Sequence, residues 1–233
     1  RLVETSHNKT KICYRPRGIV FAIMPWNFPF WQVLRFLCPS LMAGNAGLLS
    51  HAPISTGTGL AIEELVVKAG FPENLFRSLI VDNDGAAQVI ANDKVTAVTL
   101  TGSERAGKAV AAEAGQNLKK AVLELGGNDP YVILEDADLE QAAEACVTSR
   151  MLNTGQVCIA AKRLIVVKSV LEDFEALIRK KLQRYEMSDP LDPDCNFGPM
   201  AREDLRAGLQ AQVDQSIEDG AELVCGGEIP DGP

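Results

Sequence analysis

The chain has 233 residues, a length that suits one large domain or two modest ones. Its 31 acidic and 23 basic residues give a formal net charge of −8, and no stretch is dense in Lys or Arg, so we do not expect it to bind a nucleic acid. At 46% hydrophobic and 23% charged residues the composition is that of a folded protein, and no apolar run is as long as the ~20 residues of a membrane-spanning helix.

The cysteines and the opening residues bear on the compartment. The six cysteines are scattered and never form a C-x-x-C pair, as is usual for single thiols in a reducing cytosol. No charged segment followed by an apolar one opens the sequence, so we expect no export signal and a cytoplasmic location. With only His7 and His51 available, we expect neither a metal site nor a Ser-His-Asp hydrolase.

Segments typical of strands and helices alternate along the chain. The predicted strands are residues 11–14, 18–23, 48–50, 79–82, 95–100, 122–125, 131–134, 164–167 and 221–224. The predicted helices are residues 30–43, 56–69, 86–91, 103–113, 138–152, 171–185 and 201–219. This order predicts parallel strands joined by crossover helices, which is a doubly wound α/β fold.

A few residues mark where the predicted elements begin and end. Gly44 and Gly70 follow helices as C-terminal glycines, whereas Ser103 and Asp138 precede helices as N-caps. The glycine pair at 126–127 interrupts strand character, and we place the boundary between two α/β blocks there.

Four loops contain residues suited to chemistry, and a doubly wound sheet binds ligands at the carboxyl ends of its strands. They are PWNFP (25–29), TGS (101–103), ELGG (124–127) and GQVC (155–158). The TGS loop places a glycine and a hydroxyl at a helix N-terminus, which favours a phosphate, although Ser103 could serve only as the helix cap. The fingerprint G-x-G-x-x-G is absent, so an ordinary Rossmann dinucleotide site is not indicated.

Cys158 is the candidate nucleophile. It lies in a Gly-flanked loop after a helix, with Lys162 and Arg163 close in sequence, and such a partly exposed, electropositive setting favours a reactive thiolate. The alternative is a buried, unreactive thiol, which is our interpretation of Cys146 and Cys38.

Glu124 and Asn27 are the other two candidate catalytic residues. Glu124 ends the apolar strand VLEL, where burial would make its carboxylate a better base, and the alternative is a structural ion pair. Asn27 lies between two prolines that would hold its amide as a rigid donor to an oxyanion, and the alternative is a turn-forming role.

Taken together and in this order, the four loops resemble the aldehyde dehydrogenase superfamily, and the resemblance extends over essentially the whole chain. Within it the chain is most similar to bacterial succinate-semialdehyde dehydrogenases, through GNAGLL (44–49) and NTGQVC (153–158). The resemblance implies three segments: part of an oligomerisation hairpin at 1–15, an NAD(P)-binding domain at 16–125 and an incomplete catalytic domain at 126–233. It therefore implies a homo-oligomer.

The resemblance also implies a reaction on a small-molecule aldehyde. Cys158 would attack the aldehyde to give a thiohemiacetal, with the oxyanion held by the Asn27 side chain and the Cys158 N–H. Hydride transfer to NAD or NADP would leave a thioester, and Glu124 would activate the water that hydrolyses it. The product would be a carboxylic acid, with succinate semialdehyde giving succinate.

The cofactor residues implied by the resemblance include two departures from the family pattern. Matching positions that would line the cofactor pocket are Trp26, Asn27, Gly102, Ser103, Leu125 and the segment Ser50, His51, Ala52 and Pro53. Members usually carry a lysine where Ser50 stands and an acidic residue where Pro53 stands. Pro53 can neither bond a ribose 2′-hydroxyl nor repel a 2′-phosphate, so the choice between NAD and NADP stays open.

Arg35 is the residue implied to bind the substrate. It stands eight residues after Asn27, where succinate-semialdehyde dehydrogenases carry an arginine for the distal carboxylate, and the alternative is a helix-surface arginine. A second arginine of some members is replaced by Leu152 here. Other hypotheses are an aldehyde dehydrogenase of another substrate, a non-catalytic nucleotide-binding fragment, and an enzyme of the superfamily acting on a CoA thioester, against which Glu124 argues.

Overall fold

The computed structural model describes residues 2–6 and 9–229, so His7 and part of the predicted hairpin lie outside the described residues. The chain divides into two compact units, one ending at Gly126 and the other beginning at Gly127. The division falls within the glycine pair. The cofactor-binding and catalytic roles of the two units stay predictions.

The first unit begins with a short antiparallel pair of strands, which is followed by five further strands and four helices. Its strands are β1 (Leu2–Val3), β2 (Thr10–Lys11), β3 (Ile19–Met24), β4 (Ala46–His51), β5 (Phe76–Ser78), β6 (Val95–Gly102) and β7 (Lys120–Leu125). Its helices are α1 (Pro29–Met42), α2 (Thr56–Lys68), α3 (Asn83–Ala91) and α4 (Glu104–Gln116), with a short 3₁₀ turn at Pro53–Ser55. β3 to β7 form one parallel sheet in the order β5-β4-β3-β6-β7.

Helices cover both faces of this sheet because its central strand is apolar on both sides. Along β3, Phe21 packs with residues of α3 and α4, whereas the next residue, Ala22, packs with residues of α1 and α2. A parallel sheet buried on both faces is the doubly wound arrangement. The predicted fold class is therefore confirmed.

Two helices end, and one begins, at the residues that the sequence predicts. Gly44 follows α1 with φ +83° and Gly70 follows α2 with φ +90°, a conformation that glycine adopts without strain. The Ser103 hydroxyl accepts a hydrogen bond from the Ala106 N–H at 3.3 Å at the start of α4. These predictions are confirmed.

Two predicted strands, at 79–82 and 221–224, are wrong, and the one predicted at 11–14 retains only Lys11, where β2 ends. Residues 79–82 form a loop after β5, because pairing with β4 ends at Ser78 and the Asp82 carboxylate instead accepts the Gly85 N–H at 2.8 Å to cap α3. Residues 221–224 are exposed and form no strand within the described part of the chain, since a strand needs a neighbour for its ladder.

The second unit is built around a parallel pair of strands. Its strands are β8 (Pro130–Ile133) and β9 (Arg163–Val166). Its helices are α5 (Leu139–Met151), α6 (Leu171–Leu182) and α7 (Glu203–Glu218), with 3₁₀ turns at Leu152–Gly155 and Lys168–Val170. Ile133, Ala143, Cys146 and Phe174 form its buried core. The predicted cap is confirmed, because Asp138 accepts the Gln141 N–H at 3.0 Å. Among the described residues, none of the helices is long and apolar enough to cross a membrane.

Candidate active site and cofactor site

The sheet order places one group of predicted residues at a topological switch point. β3 and β6 are neighbours in the sheet. The chain continues from β3 to β4 on one side and from β6 to β7 on the other, so it leaves the two strands in opposite directions. Their carboxyl ends are at the same edge because the strands are parallel, with Ile23 opposite Leu100. This edge is where doubly wound sheets bind ligands.

The switch point brings together two of the predicted loops. Trp26 and Asn27 lie half-buried between the end of β3 and the start of α1. Gly102 ends β6, and Ser103 caps α4, whose N-terminal N–H groups and dipole favour an anion.

Leu125 belongs to the same edge. It lies opposite Gly102 in the β6–β7 ladder. It also lies against α4 at Gly107, where an added Cβ would come within 2.6 Å of Leu125 Cδ2. A glycine at that helix position therefore lets strand β7 and helix α4 approach closely.

The structure contradicts the burial expected for Glu124. β7 is at the edge of the sheet, and alternate residues point to opposite faces. Leu123 and Leu125 pack against the cluster that includes α4, whereas Val122 and Glu124 are exposed on the other face. Desolvation within this unit is consequently no reason for Glu124 to act as a base.

The segment predicted to meet the cofactor ribose, residues 50–53, lies at the carboxyl end of β4, the strand next to β3. Ser50 is buried in β4, whereas Pro53 is exposed at the start of the 3₁₀ turn. His51 uses both ring nitrogens on the backbone: Nε2 lies 3.0 Å from the Pro29 carbonyl oxygen, and Nδ1 accepts the Ala52 N–H at 2.9 Å. Its ring therefore has a structural partner at each nitrogen.

A cavity of about 90 Å³ opens beside this segment. It is lined by His51, Pro53, Thr56, Ser78, Leu79, Ile80 and Val81, with no acidic side chain among these described residues. Sequence reasoning missed Thr56 and residues 78–81, because residues 79–82 were assigned to a strand. Residues 78–81 lie at the carboxyl end of β5, and recognising that strand at 76–78 would have pointed to them.

Glu63 holds one wall of this cavity. Its carboxylate accepts the Ser78 N–H at 2.7 Å and lies 3.0 Å from the Arg77 guanidinium. The contact joins α2 to the edge strand β5. The sequence does not reveal this contact, because Glu63 belongs to α2 whereas Arg77 and Ser78 belong to β5.

Cys158 belongs to the second unit and is exposed, as is the next residue, Ile159, on a loop that also contains buried residues. Val157, Ala160 and Ala161 anchor the loop. Lys162 Nζ donates to the carbonyl oxygens of Cys158 at 2.5 Å and Gly127 at 2.7 Å. The thiol is thus exposed to solvent, on a loop that Lys162 holds through hydrogen bonds to backbone carbonyls.

The chain before Cys158 has an unusual backbone conformation. Asn153, Thr154 and Gly155 have φ values of 50°, 56° and 72° in succession. A β-branched residue in this left-handed region is strained. The Thr154 hydroxyl donates to the Gly198 carbonyl at 3.2 Å, and the Ala201 N–H donates to the Gln156 side chain at 3.0 Å. These contacts hold the strained turn in place.

Of the other cysteines, Cys13, Cys38 and Cys225 are exposed, Cys195 is half-buried and Cys146 is buried. Cys146 is buried in the core of the second unit, and burial raises the pKa of its thiol, as expected for an unreactive residue. The burial expected for Cys38 is wrong: it is exposed on α1, since the helix turns its neighbour Leu37 toward the core. Exposure alone therefore does not single out Cys158.

The predicted substrate residue lies on α1. Arg35 is exposed, whereas Gln32, Val33 and Leu37 are the buried residues of this helix. Leu152 is also exposed, at 53%. The structure describes no contact that assigns either residue to a substrate site, so the role of Arg35 stays a prediction.

The fold and the switch-point loops define a doubly wound α/β unit of the kind that binds dinucleotides. The chain belongs to the aldehyde dehydrogenase family, whose model, described as "Aldehyde dehydrogenase family", matches residues 2–233. This confirms the resemblance carried by the four loops.

Individual relatives agree with this assignment. A "Probable succinate-semialdehyde dehydrogenase [NADP(+)]" of Synechocystis sp. is 48% identical over 232 residues, covering 100% of this chain and 51% of the relative. "Succinate semialdehyde dehydrogenase [NAD(P)+] Sad" of Escherichia coli K12 is 48% identical over 97% of this chain and 49% of the relative. The crystal structure of succinic semialdehyde dehydrogenase from Streptococcus pyogenes in complex with NADP+ is similar with a TM-score of 0.96 and 39% identity, over 99% of this chain and 50% of that one. The chain thus spans about half the length of the curated relatives it matches.

Proposed function

We propose that the protein oxidises an aldehyde to a carboxylic acid with NAD or NADP, and that succinate semialdehyde is its substrate. The observation that carries the proposal is Cys158, an exposed thiol on a loop fixed by its backbone, in a chain of the aldehyde dehydrogenase family. Its relatives of Synechocystis and Escherichia coli are named as succinate-semialdehyde dehydrogenases, which supports the substrate.

The residues at the switch point fit a dinucleotide. The N-terminus of α4 at Ser103 suits a phosphate, Gly102 and Leu125 lie opposite each other at the ends of β6 and β7, and Trp26 follows β3. Among the described residues, no carboxylate lines the cavity beside Pro53, and the nearby Glu63 carboxylate is paired with Arg77, which supports the use of NADP as well as NAD. NAD(P), when bound, supplies the acceptor for the hydride.

The chemical steps fall to three side chains. Cys158 Sγ would bond to the aldehyde carbon, while the Asn27 amide and the Cys158 N–H donate to the oxyanion. Once the hydride has left that carbon, the group remains on sulfur as a thioester. Glu124 would then take a proton from water as the water attacks the thioester carbon, and the C–S bond breaks to release the acid and the thiolate.

We also propose that the first unit binds the cofactor, that the second provides the nucleophile, and that the protein is a cytoplasmic homo-oligomer. The antiparallel pair β1–β2, with Leu2 80% exposed, supports an oligomerisation hairpin, because an uncovered two-stranded ribbon is a site for further pairing. Light scattering on the intact protein measures the oligomeric state.

The test of the activity is an assay of the intact protein with succinate semialdehyde and either cofactor, beside Cys158→Ala and the control Cys38→Ala, which removes another exposed thiol. We expect reduced cofactor to form with the unchanged protein and with the Cys38 variant, and not with Cys158→Ala. Cofactor binding without any aldehyde oxidation would favour the non-catalytic nucleotide-binding alternative. Oxidation by Cys158→Ala at the normal rate would overturn the mechanism.

A further inference from the structure

His51 connects the end of β4 with the start of α1, through hydrogen bonds of both ring nitrogens. Its Nδ1 accepts the Ala52 N–H at 2.9 Å, so the ring hydrogen must be on Nε2, since a hydrogen on Nδ1 would oppose the donor. Nε2 therefore donates to the Pro29 carbonyl oxygen at 3.0 Å, across 22 residues of chain. Both contacts are part-buried, which limits competition from water.

The two ends of the ring lie at functionally different places. Pro29 is the first residue of α1 and closes the loop that carries Asn27. On the other side, His51 lines the cavity of about 90 Å³ together with Pro53. The imidazole thus lies between the wall of this cavity and the Asn27 loop.

The sheet itself cannot hold the loop at this point. In the ladder Met24 lies opposite His51, so both strands end at the same level. The Ala52 N–H makes a further contact with the Met24 carbonyl oxygen at 3.0 Å. Beyond it, the His51 side chain reaches forward to Pro29 and the first turn of α1, where the Gln32 N–H bonds to the Phe28 carbonyl at 2.9 Å.

We propose that His51 is a positioning residue: its Nε2–H holds the Pro29 carbonyl and thereby fixes the loop that presents Asn27 to the oxyanion. The proposal rests on the proposed function for its kinetic consequence. An oxyanion donor is effective only when its position is fixed before the reaction, so a loosened loop would slow attack by the thiol even when the cofactor is saturating.

Three substitutions separate the two ring nitrogens. His51→Gln keeps an amide donor near the position of Nε2, His51→Asn keeps a polar group only near that of Nδ1, and His51→Leu keeps neither. We expect the burst of reduced cofactor in the intact enzyme to slow by about three- to tenfold in the Asn and Leu variants, and by less than about twofold in the Gln variant. Because His51 also lines the cavity beside Pro53, the burst is measured at saturating NADP, and the dissociation constant for NADPH is measured separately by fluorescence titration.

A second measurement does not depend on activity. Hydrogen exchange followed by mass spectrometry over residues 25–33 should be faster in the Asn and Leu variants and close to that of the unchanged protein in the Gln variant. Equal exchange and equal burst rates in the Gln and Asn variants would overturn the proposal, as would a loss confined to NADPH affinity. If the unchanged enzyme oxidised no aldehyde, the proposed function would fail, and the exchange experiment would still decide whether His51 holds the loop.

Discussion

Lys162 Nζ lies 2.5 Å from the carbonyl oxygen of Cys158 and 2.7 Å from that of Gly127. One ammonium group therefore bridges the nucleophile loop and the start of the second unit. Next to it, Arg163 Nε donates to the Asn128 carbonyl at 2.9 Å. Two successive cations hold two successive carbonyls, and Lys162 alone also reaches the peptide of Cys158.

Lys162→Met keeps the length of the side chain and removes its donors. We expect acylation of the enzyme to slow by about three- to tenfold, because charge-assisted hydrogen bonds to the loop are lost. The measurement is the rate of the burst of reduced cofactor. Lys168→Met, at an exposed lysine after β9, is the control, and an equal effect there would show that the loss of charge alone is responsible.

Glu124→Gln tests the base assigned to deacylation. The amide keeps the shape of the side chain and cannot take a proton, so the burst of reduced cofactor should persist while steady turnover falls roughly 10²–10⁴-fold. Stopped-flow absorbance measures both phases. Glu73→Gln, at another exposed carboxylate of the same unit, should change neither. Loss of the burst would place Glu124 before hydride transfer, and normal turnover would remove it from the mechanism.

Local features could be predicted from the sequence, and features that depend on distant neighbours could not. Gly44 and Ser103 were placed correctly because a helix end depends on a few adjacent residues. The strand predicted at 221–224 failed because a strand depends on its ladder partner. The exposure of Glu124 depends on β7 being an edge strand, which the letters VLEL do not reveal.

The candidate site shows the same division. The motif around Cys158 could be found in the sequence, but the contacts that fix its loop could not, since Lys162 reaches Gly127 across 35 residues. His51 was predicted to meet the cofactor, and its bond to Pro29 was invisible until the ends of β3 and β4 were placed side by side.

Gly107→Ala tests the close approach of α4 and β7. The new Cβ would lie 2.6 Å from Leu125 Cδ2, so Leu125 must move, at a cost of about 1–3 kcal/mol that outweighs the helical preference for Ala. Gly115→Ala in the same helix is the matched control, because an added Cβ there meets nothing within 4 Å and should stabilise by about 0.4–1 kcal/mol. Urea unfolding measures both. A stable Gly107 variant would show that Leu125 repacks freely.

Glu144 predicts a dependence of stability on pH. Hydrogen bonds from Arg184 and then Lys181 lower the pKa of its carboxyl from the ordinary 4.5 to about 2. Because the pKa is lower in the folded state, the ionised carboxylate stabilises the protein above pH 4.5, and this contribution is lost as the pH falls toward 2. Glu144→Gln should therefore reduce the loss of stability between these pH values. An unchanged pH profile of the melting temperature would show that these exposed contacts contribute nothing measurable.

Arg35→Leu tests the proposed selection of an aldehyde that carries a distal carboxylate. A guanidinium offers two parallel donors to a carboxylate, and with Leu152 at the position of a second arginine, discrimination should depend on Arg35. We expect kcat/KM for succinate semialdehyde to fall roughly tenfold to a hundredfold, with little change for an uncharged aldehyde of similar length. Lys94→Leu, at an exposed lysine before β6, is the control for the loss of a positive charge. Equal losses for both aldehydes would mean that Arg35 supports the fold, and the protein would then be an aldehyde dehydrogenase of another substrate.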